Sequence, residues 1–238
     1  MKILAVETST RCQSVAIMDG TSVLAEQRCE DCSSHTRQLL PAIDALLKSS
    51  GFRLKSLDGL AVSLGPGSFT GLRVGLSTMM ALRLAKGLPL VGVPTLEALA
   101  WNVPEAVGRI CPTLKSRVGE VYWAQFEWVG GALTRLCSDQ VGTMEECLES
   151  LTEQVWGLGD GWDANQSIVE DQLGKTVKLV TSGKRMPSAV SVGLASQKYF
   201  LAGDLLPIGA SPRYVQLSRA EGQWKGQQVP FGGKASAR

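Results

Sequence analysis

The sequence predicts an α/β protein whose architecture is duplicated, with a mixed sheet covered by helices in each half. Three observations carry this. Short β-prone runs come first and then alternate with helix-period segments, in the order βββαβαβα. Strands followed by alternating helices and strands begin again after about Pro104. Hydrophobic residues make up 44% of the chain and charged residues 19%, enough apolar material for a buried core. The division is therefore 1–104 and 105–217, with 218–238 as a disordered tail rich in Gly, Gln, Ser and Lys.

In the first half, Lys2–Glu7, Ser14–Met18 and Ser22–Arg28 read as strands, the last two joined by the turn Asp19-Gly20. From Thr36 to Ser50, Leu39, Leu40, Ile43, Leu46 and Leu47 recur at helical spacing, and Gly51 ends the helix. Pro41 removes one helical hydrogen bond and belongs in the first turns or at a bend. Leu57–Leu64 is a buried strand, Gly65–Phe69 a turn, Thr70–Lys86 a helix, and Leu90–Val93 a strand. Thr95 caps a third helix running to about Asn102. In the second half, Ile110–Leu114, Val121–Val129 and Leu133–Gln140 are strands. A helix follows over Met144–Glu153, then strands at Val155–Leu158 and Val177–Val180, and a helix at Ser188–Ala202.

The start of the chain enters a strand pattern at once, and its longest apolar run is far short of the ~20 residues a membrane span needs. With scattered cysteines this predicts a cytoplasmic protein without membrane contact. Cys29, Cys32 and His35 have a spacing that could hold a metal. A structural zinc site needs a fourth ligand, His35 is the only histidine, and the remaining cysteines form no close pair. No metal site is expected. Net charge is +2, with +3 of it in 218–238 and −1 in the remainder. A nearly neutral body is a poor free-standing RNA binder, because phosphate contacts supply most non-specific affinity.

Chemistry is sparse. Glu7-Thr8-Ser9-Thr10 joins the first two strands. It is either a polar hairpin turn or a phosphate-holding turn with a carboxylate beside it. Gly65, Gly67 and Ser68 form a glycine-rich turn into a helix N-terminus, a candidate anion site but not a Walker loop. Gly71 and Gly75 lie four residues apart within that helix, where each costs ~1 kcal/mol against alanine. Another backbone should approach them closely, either a partner's or the chain's own. No nucleophile elbow is present, and any catalytic triad would have to use His35. No catalytic residue is assigned.

Ile3–Thr10 (ILAVETST), Ser34–Ile43 (SHTRQLLPAI) and Gly65–Gly75 (GPGSFTGLRVG) resemble, in order, the signatures of the TsaB (YeaZ) family. Gly119–Ala124 and Pro212–Val215 resemble its later blocks, so the likeness spans roughly 1–217. The resemblance implies a duplicated actin/Hsp70-like (ASKHA) fold. It implies a non-catalytic subunit that pairs with the catalytic subunit TsaD, and with the ATPase TsaE, in forming threonylcarbamoyladenosine in tRNA. It further implies homodimers or heterodimers through the first two helices, with Leu39, Ile43, Leu46, Leu47, Gly71, Arg73, Val74, Gly75 and Thr78 at the interface. No cofactor of its own is implied. ATP or ADP would sit at the interface of the complex, and tRNA would be met only within it. One departure stands out: Lys115-Ser116-Arg117 replaces the family's usual Asp-Ala-Arg, putting a cation where a carboxylate is expected. An ATP-binding phosphotransferase is the alternative, and a peptidase a more distant one.

Overall fold

The computed structural model describes residues 1–215 except 33, 105 and 107. The tail expected over 218–238 lies outside the described residues. The first half is a five-stranded sheet made of β1 (Lys2–Glu7), β2 (Gln13–Asp19), β3 (Ser22–Cys29), β4 (Gly59–Gly65) and β5 (Leu90–Pro94), in the order β3-β2-β1-β4-β5. β1 runs antiparallel to β2 and parallel to β4, so two hairpin strands and two crossover strands share one sheet. The crossover β4–β5 is made by α2 (Phe69–Lys86), and α1 (His35–Ser49) connects β3 to β4. Strands buried on both faces should be apolar throughout rather than alternating. Leu4 and Val6 pack under α1 and α2 with Leu39, Ile43, Leu46, Leu76 and Met79. Ile3 and Ala5 pack on the opposite face.

The second half repeats the plan. β6 (Arg109–Lys115) is paired antiparallel by β7 (Val121–Trp123) and β8 (Phe126–Val129). These pair in turn with β10 (Gln140–Gly142) and β9 (Ala132–Arg135). β11 (Val155–Leu158) and β12 (Val177–Leu179) extend the other side in parallel. The two long strands expected at Val121–Val129 and Leu133–Gln140 are thus each broken in two. Gln125 causes the break. Its amide N–H turns to the Cys137 sulfur at 3.2 Å and its carbonyl accepts from Leu136 N–H at 2.8 Å, while its side chain reaches the Ser150 carbonyl. Taken as pairs, the strands reproduce the order of the first sheet.

Short helices cover this sheet: α3 (Thr95–Ala100) between the halves, and α4 (Met144–Glu149), α5 (Asp160–Ala164) and α6 (Gln166–Val169) outside. The helix expected to reach Glu153 stops at Glu149. α5 and α6 were not anticipated, because Gly159-Asp160-Gly161 reads as a turn. Burial of Trp162, whose ring N–H donates to the Cys111 carbonyl at 2.9 Å, holds α5 in place.

The largest departure concerns α7 (Ala189–Ala202). The sequence division puts it with the second half, yet it packs on β1, β2, β4 and β5 of the first sheet. Its inner face is small (Ala189, Gly193 and Ala195), which lets it lie close on Ala5, Ala16 and Met18. From its end the chain runs back beside α2. Leu206 N–H bonds the Leu90 carbonyl and Arg213 N–H bonds the Leu64 carbonyl, both at 2.8 Å.

Candidate functional site

Parallel strands with crossovers leave a crevice at their carboxyl ends. Here two such ends face one another. β1, β4 and the N-terminus of α2 form one wall, and β6 and the start of α5 form the other. The cleft between them measures about 650 Å³ and is lined by Ser9, Thr10, Arg11, Cys32, His35, Gly67 and Ser68 from the first half. Leu114, Lys115, Ser116 and Asp160 line it from the second.

Of the residues singled out in the sequence for phosphate binding, Ser9, Thr10, Gly67 and Ser68 reach this cleft. Gly67 is required there, because its φ is +152° and a side chain would collide with the Ser9 backbone. Ser68 caps α2, its hydroxyl accepting from Gly71 N–H at 3.2 Å. Glu7, Thr8 and Gly65 lie beneath the floor and do not line it. Thr8 Oγ1 donates to the Gly71 carbonyl at 2.9 Å, and Gly65 N–H donates to Thr95 Oγ1 at 3.1 Å. Glu7 is fully buried and accepts from Ser9 N–H. Burial pushes its carboxyl upward against the opposing pull of Ser9 and Ser63. The Ser9 and Ser63 hydroxyls lie beside the Glu7 carboxyl, and Glu7 Oε2, Ser9 Oγ and Ser63 Oγ are buried with no well-aligned partner outside this group.

Lys115, singled out in the sequence only as a departure from the family pattern, lines the cleft, as do Arg11 and Asp160, which the sequence reading does not name. Asp160 Oδ1 accepts Lys115 N–H at 2.8 Å, tying α5 to the end of β6, and burial raises its carboxyl while that bond opposes the shift. The signal for these residues was the duplication itself. If the first hairpin loop faces a cleft, its repeat at Lys115–Glu120 faces the same cleft.

The Cys29/Cys32/His35 group is spent on local hydrogen bonds. Cys32 Sγ donates to Gln38 Oε1 at 2.8 Å. His35 Nε2 donates to the Thr10 carbonyl at 2.8 Å, and its Nδ1 lies 3.2 Å from the Gln13 side chain. Among the described residues no three of His, Cys, Asp and Glu are grouped to hold a metal.

The dimer residues expected from the resemblance divide in two. Leu39, Ile43 and Leu46 are at most 4% exposed and sit in the chain's own core. Leu47 is half-buried against the same cluster. Gly71 and Gly75 face Thr8. A Cβ at Gly71 would overlap the Thr8 carbonyl oxygen, and one at Gly75 would overlap Thr8 Oγ1. The close backbone approach that these glycines signal is therefore internal, and both are corrected from interface to core. Arg73 is exposed and Val74 and Thr78 are half-exposed. Around them Leu40 is 55% and Leu84 61% exposed. Arg73 also lies over the Phe69 ring and donates from Nε to Tyr214 Oη at 2.9 Å, with the two rings stacked 5.0 Å apart. This stack fastens the C-terminal segment to the start of α2.

Residues 30–204 match the profile of the family described as TsaD, tRNA N6-adenosine threonylcarbamoyltransferase. The tRNA threonylcarbamoyladenosine biosynthesis protein TsaB of Bacillus subtilis is 29% identical over 227 residues, covering 94% of this chain and 98% of that protein. The TsaB protein of Escherichia coli is 34% identical over 174 residues, covering 69% and 73%. Among solved structures, YeaZ from Pseudomonas aeruginosa superposes with a TM-score of 0.76 at 26% identity, over 90% of this chain and 99% of that one.

Proposed function

The chain belongs to the TsaB family of tRNA threonylcarbamoyladenosine biosynthesis proteins, and from that premise we propose that it is a subunit without catalytic machinery of its own, supporting a TsaD-type catalytic subunit. Its fold is the duplicated actin/Hsp70-like one, and its place is in tRNA modification. The observation that carries the non-catalytic reading is the state of the cleft's only histidine. Both nitrogens of His35 are engaged within the chain, and a metal site needing two histidines cannot be made from one. A peptidase would need a nucleophile beside a base free to take its proton. The only imidazole, His35, is held by Thr10 and Gln13, and the Ser68 hydroxyl is used as the cap of α2.

The partner surface in this reading is the outward side of α1 and α2, around Leu40, Val74 and Thr78, with Arg73 at its edge. An exposed apolar strip beside cations suits a helix pair on a catalytic subunit of the same fold, or a second copy of this chain. A TsaE-type ATPase would join that assembly, ATP or ADP would bind at its interfaces, and tRNA would be met only there. No helix among the described residues is long and apolar enough to cross a membrane. A part in tRNA modification puts the assembly, in this reading, in the cytoplasm.

The phosphotransferase reading draws on the polar cleft. Its weakness is the carboxylates: Glu7 lies beneath the floor and Asp160 is held by Lys115 N–H. Assays of the pure chain with ATP, with peptides, and with threonylcarbamoyl-adenylate plus tRNA should give no turnover. Turnover in any of the three that is lost in Ser9→Ala would overturn the non-catalytic reading.

A further inference from the structure

We propose that Cys29 and Cys32 are a reversible thiol–disulfide pair, closed by a low-molecular-weight disulfide such as oxidised glutathione and reopened by the corresponding thiol. The site goes beyond the partner role and does not depend on it.

The two residues flank a tight turn. Cys29 is the last residue of β3, Glu30 and Asp31 make the turn, and Cys32 follows. The ends of such a turn lie within about 7 Å of one another, and a disulfide needs Cα atoms about 4.4–6.8 Å apart. Both ends are pinned to one neighbouring segment. Cys29 pairs with Gln13 of β2, and Cys32 N–H donates to the Arg11 carbonyl at 2.9 Å. The side chains also share a side. Residues directly opposite in an antiparallel pair point to the same face, so Cys29 and Gln13 do. Cys32 Sγ lies 3.6 Å from Gln13 Oε1, which brings it to the face that carries the Cys29 thiol.

The pair is asymmetric. Cys29 is half-buried, whereas Cys32 is 7% exposed at the edge of the cleft. Burial pushes the Cys32 thiol up, a backbone bond from Ser34 opposes the shift, and the neighbouring Cys29 thiol adds to it. The more exposed thiol therefore meets the oxidant and the buried one resolves. The Cys29 thiolate attacks one sulfur of oxidised glutathione, forming a mixed disulfide and releasing one glutathione, which takes up the Cys29 proton. Cys32 then gives up its proton and attacks the Cys29 sulfur. This closes the bond and releases the second glutathione with that proton. Two electrons pass from the pair to the oxidant. Closure takes Cys32 Sγ from Gln38 Oε1, 2.8 Å away in the first turn of α1. Cys111 and Cys147 are the contrast: their sulfurs are 4.0 Å apart, but both residues are fully buried and sheltered from an oxidant.

The test counts free thiols in the full chain by alkylation and mass spectrometry, after oxidised glutathione and again after reduced glutathione, with the linked peptide mapped. The wild type should lose two of its six thiols, joined as Cys29–Cys32, and recover them on reduction. Cys32→Ser should instead hold a mixed disulfide at Cys29, with no internal link. Cys29→Ser should slow oxidation at Cys32 about tenfold or more, because the accessible thiol is gone. Melting curves of both variants accompany the count, and the wild-type mapping depends on neither. Six thiols retained, a linked pair other than Cys29–Cys32, a bond that reduced glutathione does not reopen, or unchanged thiol loss in Cys32→Ser would overturn the proposal.

Discussion

Gly71→Ala should destabilise the isolated chain by about 3 kcal/mol or more, although helix propensity alone would make it stabilising by about 1 kcal/mol. The opposing term is geometric. The new Cβ would overlap the carbonyl oxygen of Thr8, a backbone atom at the end of β1 that cannot rotate away. Relief requires α2 to move off the sheet. That would break the Thr8 Oγ1–Gly71 carbonyl bond and loosen Leu72 and Leu76 in the core. For a chain of this length 1 kcal/mol shifts the melting temperature by roughly 2–4 °C, so a fall of about 10 °C is expected. Gly75→Ala should cost less, because it meets the Thr8 hydroxyl, which can turn. A Gly71→Ala protein that melts with the wild type but no longer associates would return this glycine to a partner interface.

Glu7 predicts a pH dependence of definite sign. Its carboxyl titrates above the ordinary value of 4.5, chiefly because it is fully buried. A group with a raised folded-state pKa holds its proton longer in the native chain than in the unfolded one. Its contribution to stability is therefore complete below the unfolded value and is lost as pH rises through the folded value. Glu7→Gln keeps the acceptor for Ser9 N–H and adds an amide donor near the unpartnered oxygens of Ser9 and Ser63. Compared with wild type it should become relatively more stable as pH rises above the ordinary carboxyl value of 4.5. Glu7→Ala leaves Ser9 N–H unpaired in a buried site and should lose about 1–3 kcal/mol from that bond, plus a cavity term. Denaturant unfolding of wild type and Glu7→Gln from that value upward checks this. A parallel pH response in the two proteins would mean Glu7 is not the titrating group.

Much of the first half was legible because its strands are continuous apolar runs and its helices carry strong periodicity. Leu39, Ile43 and Leu46 announced a buried helix face. The error lay in assigning that face to a partner, since the period of a pattern says that a face is covered but not by what. Gly71 and Gly75 illustrate the same limit. Their spacing signalled a close backbone approach, and only the fold shows that the backbone is that of Thr8. The second half was harder to read. Gln125 bends two strands through bonds to Cys137 and Ser150, residues distant in sequence, and α7 returns to the first sheet. Small residues such as Ala189, Gly193 and Ala195 mark a tight contact without saying which sheet receives it. The candidate cleft was half legible. Ser9, Thr10, Gly67 and Ser68 came from local motifs and Lys115 from its departure from the family pattern, whereas Arg11 and Asp160 emerge only when the ends of the two sheets face each other.

The central claim is that the chain supports a catalytic subunit through the outward side of α1 and α2 and performs no chemistry itself. The most direct measurement is threonylcarbamoyl transfer to tRNA by a purified TsaD-type subunit with its ATPase. It would be assayed alone, with this chain, and with the double variant Leu40→Glu, Val74→Glu. The wild-type chain should restore transfer. The variant, with its melting measured alongside because Val74 packs partly against the core whereas Leu40 is 55% exposed, should restore about a hundredfold less at equal folded concentration. Transfer that is equally fast without the chain, or equally restored by the variant, would contradict the claim.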